Sequence, residues 1–143
     1  LQNLGGWGRY FTVFANATRL KLEGDQQAQF DSFIPKTANW GMFFSKDRFA
    51  ASAKWNYRGL DKRNPAINLG TDGYTYLKAR LSVDVSVAYN LTSRLSLVAA
   101  ATNVFNAPTS VQLAYGSDTP TYARQIVVND PGVDFSLTLK GRF

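Results

Sequence analysis

Hydrophobic residues recur along this chain at every second position, and the clearest run lies near its centre. From Tyr76 to Leu91, Leu77, Ala79, Leu81, Val83, Val85, Val87, Tyr89 and Leu91 share one parity. Tyr76, Lys78, Arg80, Ser82, Asp84, Ser86, Ala88 and Asn90 share the other. A period of two sends alternate side chains to opposite faces, so the stretch predicts a β-strand with one apolar and one polar face. At ~3.3 Å per residue it would extend about 50 Å, where an ordinary globular strand has roughly five or six residues. The final stretch, VDFSLTLKGRF, alternates as cleanly: Val133, Phe135, Leu137, Leu139 and Phe143, with Gly141, against Asp134, Ser136, Thr138, Lys140 and Arg142.

The same pattern elsewhere predicts six strands, near 7–22, 36–46, 48–59, 74–90, 93–105 and 122–143. In the third, Phe49, Ala51, Ala53, Trp55 and Tyr57 alternate with Ala50, Ser52, Lys54, Asn56 and Arg58. In the first the parity is blurred: Phe11, Val13, Ala15 and Ala17 take the apolar face, and Phe14 falls on the polar one. Pro131 has no N–H to give to a ladder, so the last strand should bulge or break there. Residues 23–35, 60–73 and 106–121 read as long polar loops, whereas Ser45 to Arg48 and the segment NLTS read as short turns. Long and short connections therefore alternate. An antiparallel meander joined in this way has its short turns at one end and its long loops at the other, the asymmetry of bacterial outer-membrane barrels.

Composition changes the picture in two places. No apolar run approaches the ~20 residues of a transmembrane helix, but a barrel strand is apolar only at every second residue and leaves no such run. Cysteine and histidine are both absent, so disulfides, thiolates, Ser–His couples and the usual zinc ligand sets are excluded. No catalytic constellation, cofactor motif or metal cluster stands out, and an enzyme is not expected. The net charge of +6 comes from cations spread over separate strands rather than clustered with stacking aromatics, which argues against nucleic acid.

Alternation alone leaves open whether the apolar face points into a soluble core or out into lipid. Aromatics near strand ends bear on this: Trp40, Trp55, Tyr57, Tyr74 and Tyr76 toward the long loops, and Phe44, Phe49, Tyr89 and Phe143 toward the short turns. Aromatic girdles around an aliphatic band are a membrane-barrel feature. On this reading Val83 and Val85 face lipid and Asp84 faces a wet lumen. The lumen-facing set is Lys54, Arg58, Lys78, Arg80, Asp84, Arg94, Asp134, Lys140 and Arg142, the two aspartates forming ordinary ion pairs with neighbouring cations. Six strands cannot close a barrel around a polar lumen. The chain, which starts LQNLGG with neither methionine nor signal peptide, is thus read as the C-terminal arc of something larger.

Several segments carry a family likeness. FIPKTANWGMFFSKDRFAASAKWNYRG resembles a hairpin that recurs in TonB-dependent outer-membrane receptors. YLKARLSVDVSVAYNLTSRLSLVAAATNVFNAP is similar to their penultimate hairpin, with Asp84, Ser86, Tyr89, Leu91, Asn103, Asn106 and Pro108 at matching positions. VDFSLTLKGRF looks like their closing strand, in which Phe135, Leu137, Leu139 and Phe143 would form the signal read by the barrel-assembly machinery. The resemblance covers residues 7–143 and departs from the pattern at Ala99 to Ala101, where charged residues are often found. It implies a transmembrane barrel of roughly 22 strands with an N-terminal plug in its lumen. It also implies a TonB box coupling to inner-membrane energy and uptake of a siderophore, haem, cobalamin or oligosaccharide. The implied surroundings are outer-membrane lipid and lipopolysaccharide. Two other classes stay open at this level: an autotransporter translocator and a soluble β-sandwich binding module.

Overall fold

The computed structural model describes residues 6–21, 23–24, 33–65, 73–114, 120–124 and 126–142. Its strands are β1 (Phe11–Arg19), β2 (Lys36–Lys46), β3 (Phe49–Arg58), β4 (Asp61–Pro65) and β5 (Tyr74–Leu77). They continue with β6 (Arg80–Asn90), β7 (Leu95–Thr102), β8 (Thr109–Ala114), β9 (Ile126–Asn129) and β10 (Asp134–Gly141). Two single 3-10 turns, Gly6–Tyr10 and Thr121–Ala123, are the helical segments among the described residues. Among the described residues no helix is long and apolar enough to cross a membrane, which says nothing of strands.

β1, β2, β3, β6, β7 and β10 form one antiparallel sheet in that spatial order. These are the six strands expected from the sequence, in the expected meander. Both short turns lie at one end. Asp47 and Arg48 join β2 to β3, with Asp47 at φ 53°, a left-handed conformation that Asp tolerates better than most residues. Between β6 and β7 the Thr92 hydroxyl accepts from the backbone N–H of Arg94 and Leu95 (3.2 and 3.0 Å), closing the turn.

The other end departs from expectation. β4, β5, β8 and β9 make a second antiparallel sheet in that order. It repeats the order β3-β6-β7-β10, because each of its strands continues one of those four across a break. Gly59 and Leu60 separate β3 from β4, and Lys78 and Ala79 separate β5 from β6. Residues 103–108 lie between β7 and β8, and residues 130–133 between β9 and β10. The long central strand is therefore two strands, not one. The stretches 60–73 and 106–121 are not simple loops but carry β4 and β8; within them, 66–72 and 115–119 lie outside the described residues, as do 25–32 of the first long loop. The break at Pro131 is where the sequence placed it. The first strand is shorter than 7–22, since its start winds into the 3-10 turn.

Register confirms the two faces. Ala53 pairs with Val85, Trp55 with Val83 and Phe49 with Tyr89 on the apolar side; Lys54 pairs with Asp84, Ser52 with Ser86 and Arg58 with Arg80 on the polar side. The apolar side is not covered: Phe135 is 81% exposed and Leu137 72%, and Met42, Val87, Tyr89 and Leu97 are also exposed. The buried apolar residues among those described are Leu77, Val83 and Ala101. Val83 therefore does not present itself to the surroundings, contrary to expectation. It lies beside Trp55, and its carbonyl accepts from the Val104 N–H (2.8 Å) as the chain leaves β7.

Phe14, the misfit of the first strand, has a purpose on the polar face. It lies opposite Gly41 and stacks on Phe43, with ring centroids 5.6 Å apart. A Cβ on Gly41 would come within 2.6 Å of the Phe14 ring and 2.7 Å of the Ala53 carbonyl oxygen. The ring covers backbone that a glycine leaves bare and helps to pin the β1–β2 register. Gly41→Ala should thus destabilise the assembled protein by ~1–3 kcal/mol, the usual range for overpacking. In a Phe14→Ala background the loss should shrink but persist, because the Ala53 carbonyl stays in place. Unfolding midpoints in denaturant check this; an unchanged midpoint for Gly41→Ala would refute the close approach.

Candidate functional site

The polar face of the six-stranded sheet, and the level at which its strands break, gather most of the chemistry. Asp84 sits at the centre of β6. One carboxylate oxygen accepts from Asn56 Nδ2 (2.9 Å) on β3, and the other from the backbone N–H of Asn103 (3.0 Å) beyond β7. Asn103 has φ 54°, a conformation that Asn adopts at lower cost than other side chains. It is buried, its Nδ2 donates to the Gly132 carbonyl (2.8 Å), and its Oδ1 accepts from the Ala107 N–H (2.9 Å). Asn106, also left-handed at φ 48°, donates through Nδ2 to Asp130 (3.1 Å). The other oxygen of Asp130 accepts from the Gly132 N–H (3.1 Å). One network therefore joins β3, β6, the 103–108 turn and the 130–133 turn at the level where the long strands break.

This corrects the expected role of the two aspartates. Among the described residues the ion pairs are Lys21–Glu23 and Arg63–Asp61. Neither Asp84 nor Asp134 takes part in one. Lys54 faces Asp84 across the ladder, yet its Nζ lies 5.5 Å from the centroid of the Phe43 ring. Asp134 opens β10 opposite Thr102.

Arg58 and Arg80 are directly paired neighbours on β3 and β6, two like charges abreast. Arg58 Nε and Nη2 and Arg80 Nε are buried without a hydrogen-bond partner among the described residues. Of the other residues expected to face a lumen, Lys140 lies on β10 opposite Ser96, and Arg142 follows it, its backbone N–H donating to the Arg94 carbonyl (2.9 Å). Arg94 belongs to the β6–β7 turn. Lys78 lies in the break between β5 and β6, so no strand register assigns it a face; its N–H donates to Ser110 (3.1 Å). Phe135, Leu137 and Leu139 share the exposed apolar side of β10, and Phe143 lies outside the described residues.

Two features escaped the sequence. Asp61, in what read as loop, is the most buried side chain (1% exposed). It accepts from Arg63 Nε (3.1 Å), while its second oxygen has no partner among the described residues. Nothing in the local pattern marks it. Asn103 carried a signal, its spacing from Asn106 and Pro108, but not the identity of its partners. No group of three or more acidic, His or Cys side chains suited to a metal occurs among the described residues. No family model, no curated protein and no solved structure matches this chain.

Removing the network's central acceptor should be costly. Asp84→Ala leaves the buried Asn103 N–H without its partner, so a loss of ~1–3 kcal/mol is expected. Asp84→Asn keeps one acceptor oxygen and should lose less. Asn103→Ala gives up three side-chain hydrogen bonds and adds left-handed strain, and should lose more than Asn103→Gly, which gives up the same three without the strain. Denaturant midpoints rank the four variants; Asn103→Ala equal to Asn103→Gly would rule out a backbone contribution.

Proposed function

We propose that this chain is the C-terminal arc of the barrel of a TonB-dependent transporter in a bacterial outer membrane. The observation that carries the reading is a six-stranded antiparallel meander with an exposed apolar face and a charged opposite face. The outer edge of β1 and that of β10 have no strand partner among the described residues. Lipid cannot satisfy open backbone edges, so further strands of the same protein complete the barrel. A soluble sandwich would bury its apolar faces against each other; here that burial is confined to a few residues.

The aromatic placement supports the same assignment. At the short-turn end Phe44 packs against Phe11 and Phe49, with ring centroids 4.9 and 5.9 Å apart. Lys46 Nζ lies 4.8 Å from the Trp7 ring centroid and 5.3 Å from that of Tyr10. Trp40 and Trp55 stack across β2 and β3 at the far end of the apolar face, at 6.4 Å. From Phe49 to Trp55 is six steps of ~3.3 Å, about 20 Å along the strand. On a strand tilted by about 40° that length covers ~15 Å of height, so both aromatic groups fit within an apolar band about 25 Å tall.

In this proposal the short turns lie on the periplasmic side, and the sheet of β4, β5, β8 and β9 rises above the membrane on the outer side. The polar face lines a lumen filled by an N-terminal plug. The missing part of the protein contacts TonB and draws on it to import a scarce ligand of the siderophore, haem, cobalamin or oligosaccharide type. The closing strand addresses the assembly machinery, and the apolar face meets phospholipid and lipopolysaccharide. A plug domain and TonB box upstream of residue 1 would favour this over an autotransporter translocator, which has neither.

The faces give a direct test. Fluorophores are placed singly at Val87 and Leu137 on the apolar side, and at Ser86 and Ser136 on the polar side, of the full-length protein in lipid. A quencher confined to the acyl-chain phase should dim the first pair strongly and the second weakly. The reverse order would invert the face assignment, and equal quenching of none would remove the membrane reading. Val87→Arg should destabilise the assembled barrel by ~2–4 kcal/mol, the midplane cost of a lipid-facing arginine.

A further inference from the structure

The short-turn end of the sheet concentrates positive charge that forms no ion pair among the described residues. Arg48 closes the turn between β2 and β3. Arg94 closes the turn between β6 and β7, and Lys140 and Arg142 run alongside at the end of β10. The backbone ties these segments together: the Asn90 N–H donates to the Arg48 carbonyl (2.8 Å), and the Arg142 N–H to the Arg94 carbonyl (2.9 Å). The four cations, with Asn90 and Ser93 between them, line a pocket of about 610 Å³. Among the described residues no acidic side chain lines it. Neither ion pair among the described residues involves any of the four.

Four like charges around one hollow repel one another, and an anion within it relieves all of those pairs at once. The chemistry of the lining narrows the anion. Arginine offers a planar fork of donors that matches phosphate oxygens two at a time. A phosphate monoester carries about −1.5 to −2 charges near neutrality, closer to what four cations can neutralise than the single charge of a carboxylate; a phospholipid diester carries one charge and relies on the match of its oxygens to the arginine forks. Small-ligand sites occupy ~300–1,000 Å³, so the hollow has room for the phosphate and the group esterified to it. We infer that this pocket binds a phosphate ester, either a soluble one or the headgroup of a phospholipid. The inference rests on the pocket itself and does not require the transporter reading.

The probe is radiolabelled glycerol 3-phosphate, dialysed to equilibrium against the full-length protein in phosphate-free detergent. One saturable site per chain is expected, weakening as salt rises. The double variant Arg94→Gln with Arg142→Gln should bind at least tenfold more weakly. Lys62→Gln, in β4 at the opposite end, should bind like the parent. Matching far-UV circular dichroism keeps a folding defect from passing as lost affinity. Arg142→Lys provides a second check, since it keeps the charge but not the fork and should lie between parent and double variant. Non-saturable uptake, or equal affinity in the double variant, would overturn the assignment and leave the cluster to a carboxylate partner. Repeating the measurement in phosphatidylglycerol nanodiscs separates the sources: binding is abolished where the lipid headgroup occupies the pocket, and survives where the ligand is soluble.

Discussion

The unbroken register from β1 across to β10 is the constraint on which everything else in this molecule depends. Because side chains alternate with a period of two, a slip of one residue at any of five strand pairings would turn a neighbour's apolar set to the polar face. Several devices hold the register. Asp47 and Thr92 fix the two tight turns, the Phe14 ring occupies the gap over Gly41, and Ser52 and Ser86 share a hydrogen bond of 2.8 Å across β3 and β6. None of these is strong alone. They act at different strand pairs, so an error at one pair is opposed by the next.

The second layer of organisation is the level at which four neighbouring strands stop and restart. Three of the four breaks have a visible chemical cause. Gly59 brings its backbone against the Lys36 carbonyl, where a Cβ would sit 2.9 Å from the oxygen. Asn103 and Asn106 turn left-handed, and Pro131 lacks a donor. The Asp84 network then ties the break of β7 to that of β9 and β10. A carboxylate on the wet side of a sheet is commonly read as a charge partner. Here its geometry makes it an acceptor for backbone that the ladder has abandoned.

How much of this could be read in advance follows from the physics of each part. Alternation from Leu81 to Tyr89 and from Phe135 to Leu139 encodes strands and faces directly, because the period of the side chains is the period of the backbone. The grouping of short turns at one end followed from connection lengths alone. The distal sheet was not legible: β4 is short, polar and shifted in register against β5, and β8 is a six-residue strand that pairs with β5 and β9 on either side of it in the chain. Lys78 and Ala79 kept perfect alternation through a point where the ladder breaks, so pattern could not reveal the interruption. The partners of Asp84 were hidden for a similar reason, since Asn103 reaches it through a turn rather than along a strand. Val83 showed the limit of parity: it assigns a side, but not what covers that side.

The open edge of β10 has a consequence in time rather than in space. Its apolar side chains are among the most exposed on the molecule, and its outer backbone lacks a neighbour among the described residues. In water such a strand is a template for indiscriminate pairing. Each second that the edge stays unpaired in water is therefore a second of risk, and the risk grows with the concentration of other copies. For such a strand, how long its edge stays open matters as much as what finally covers it.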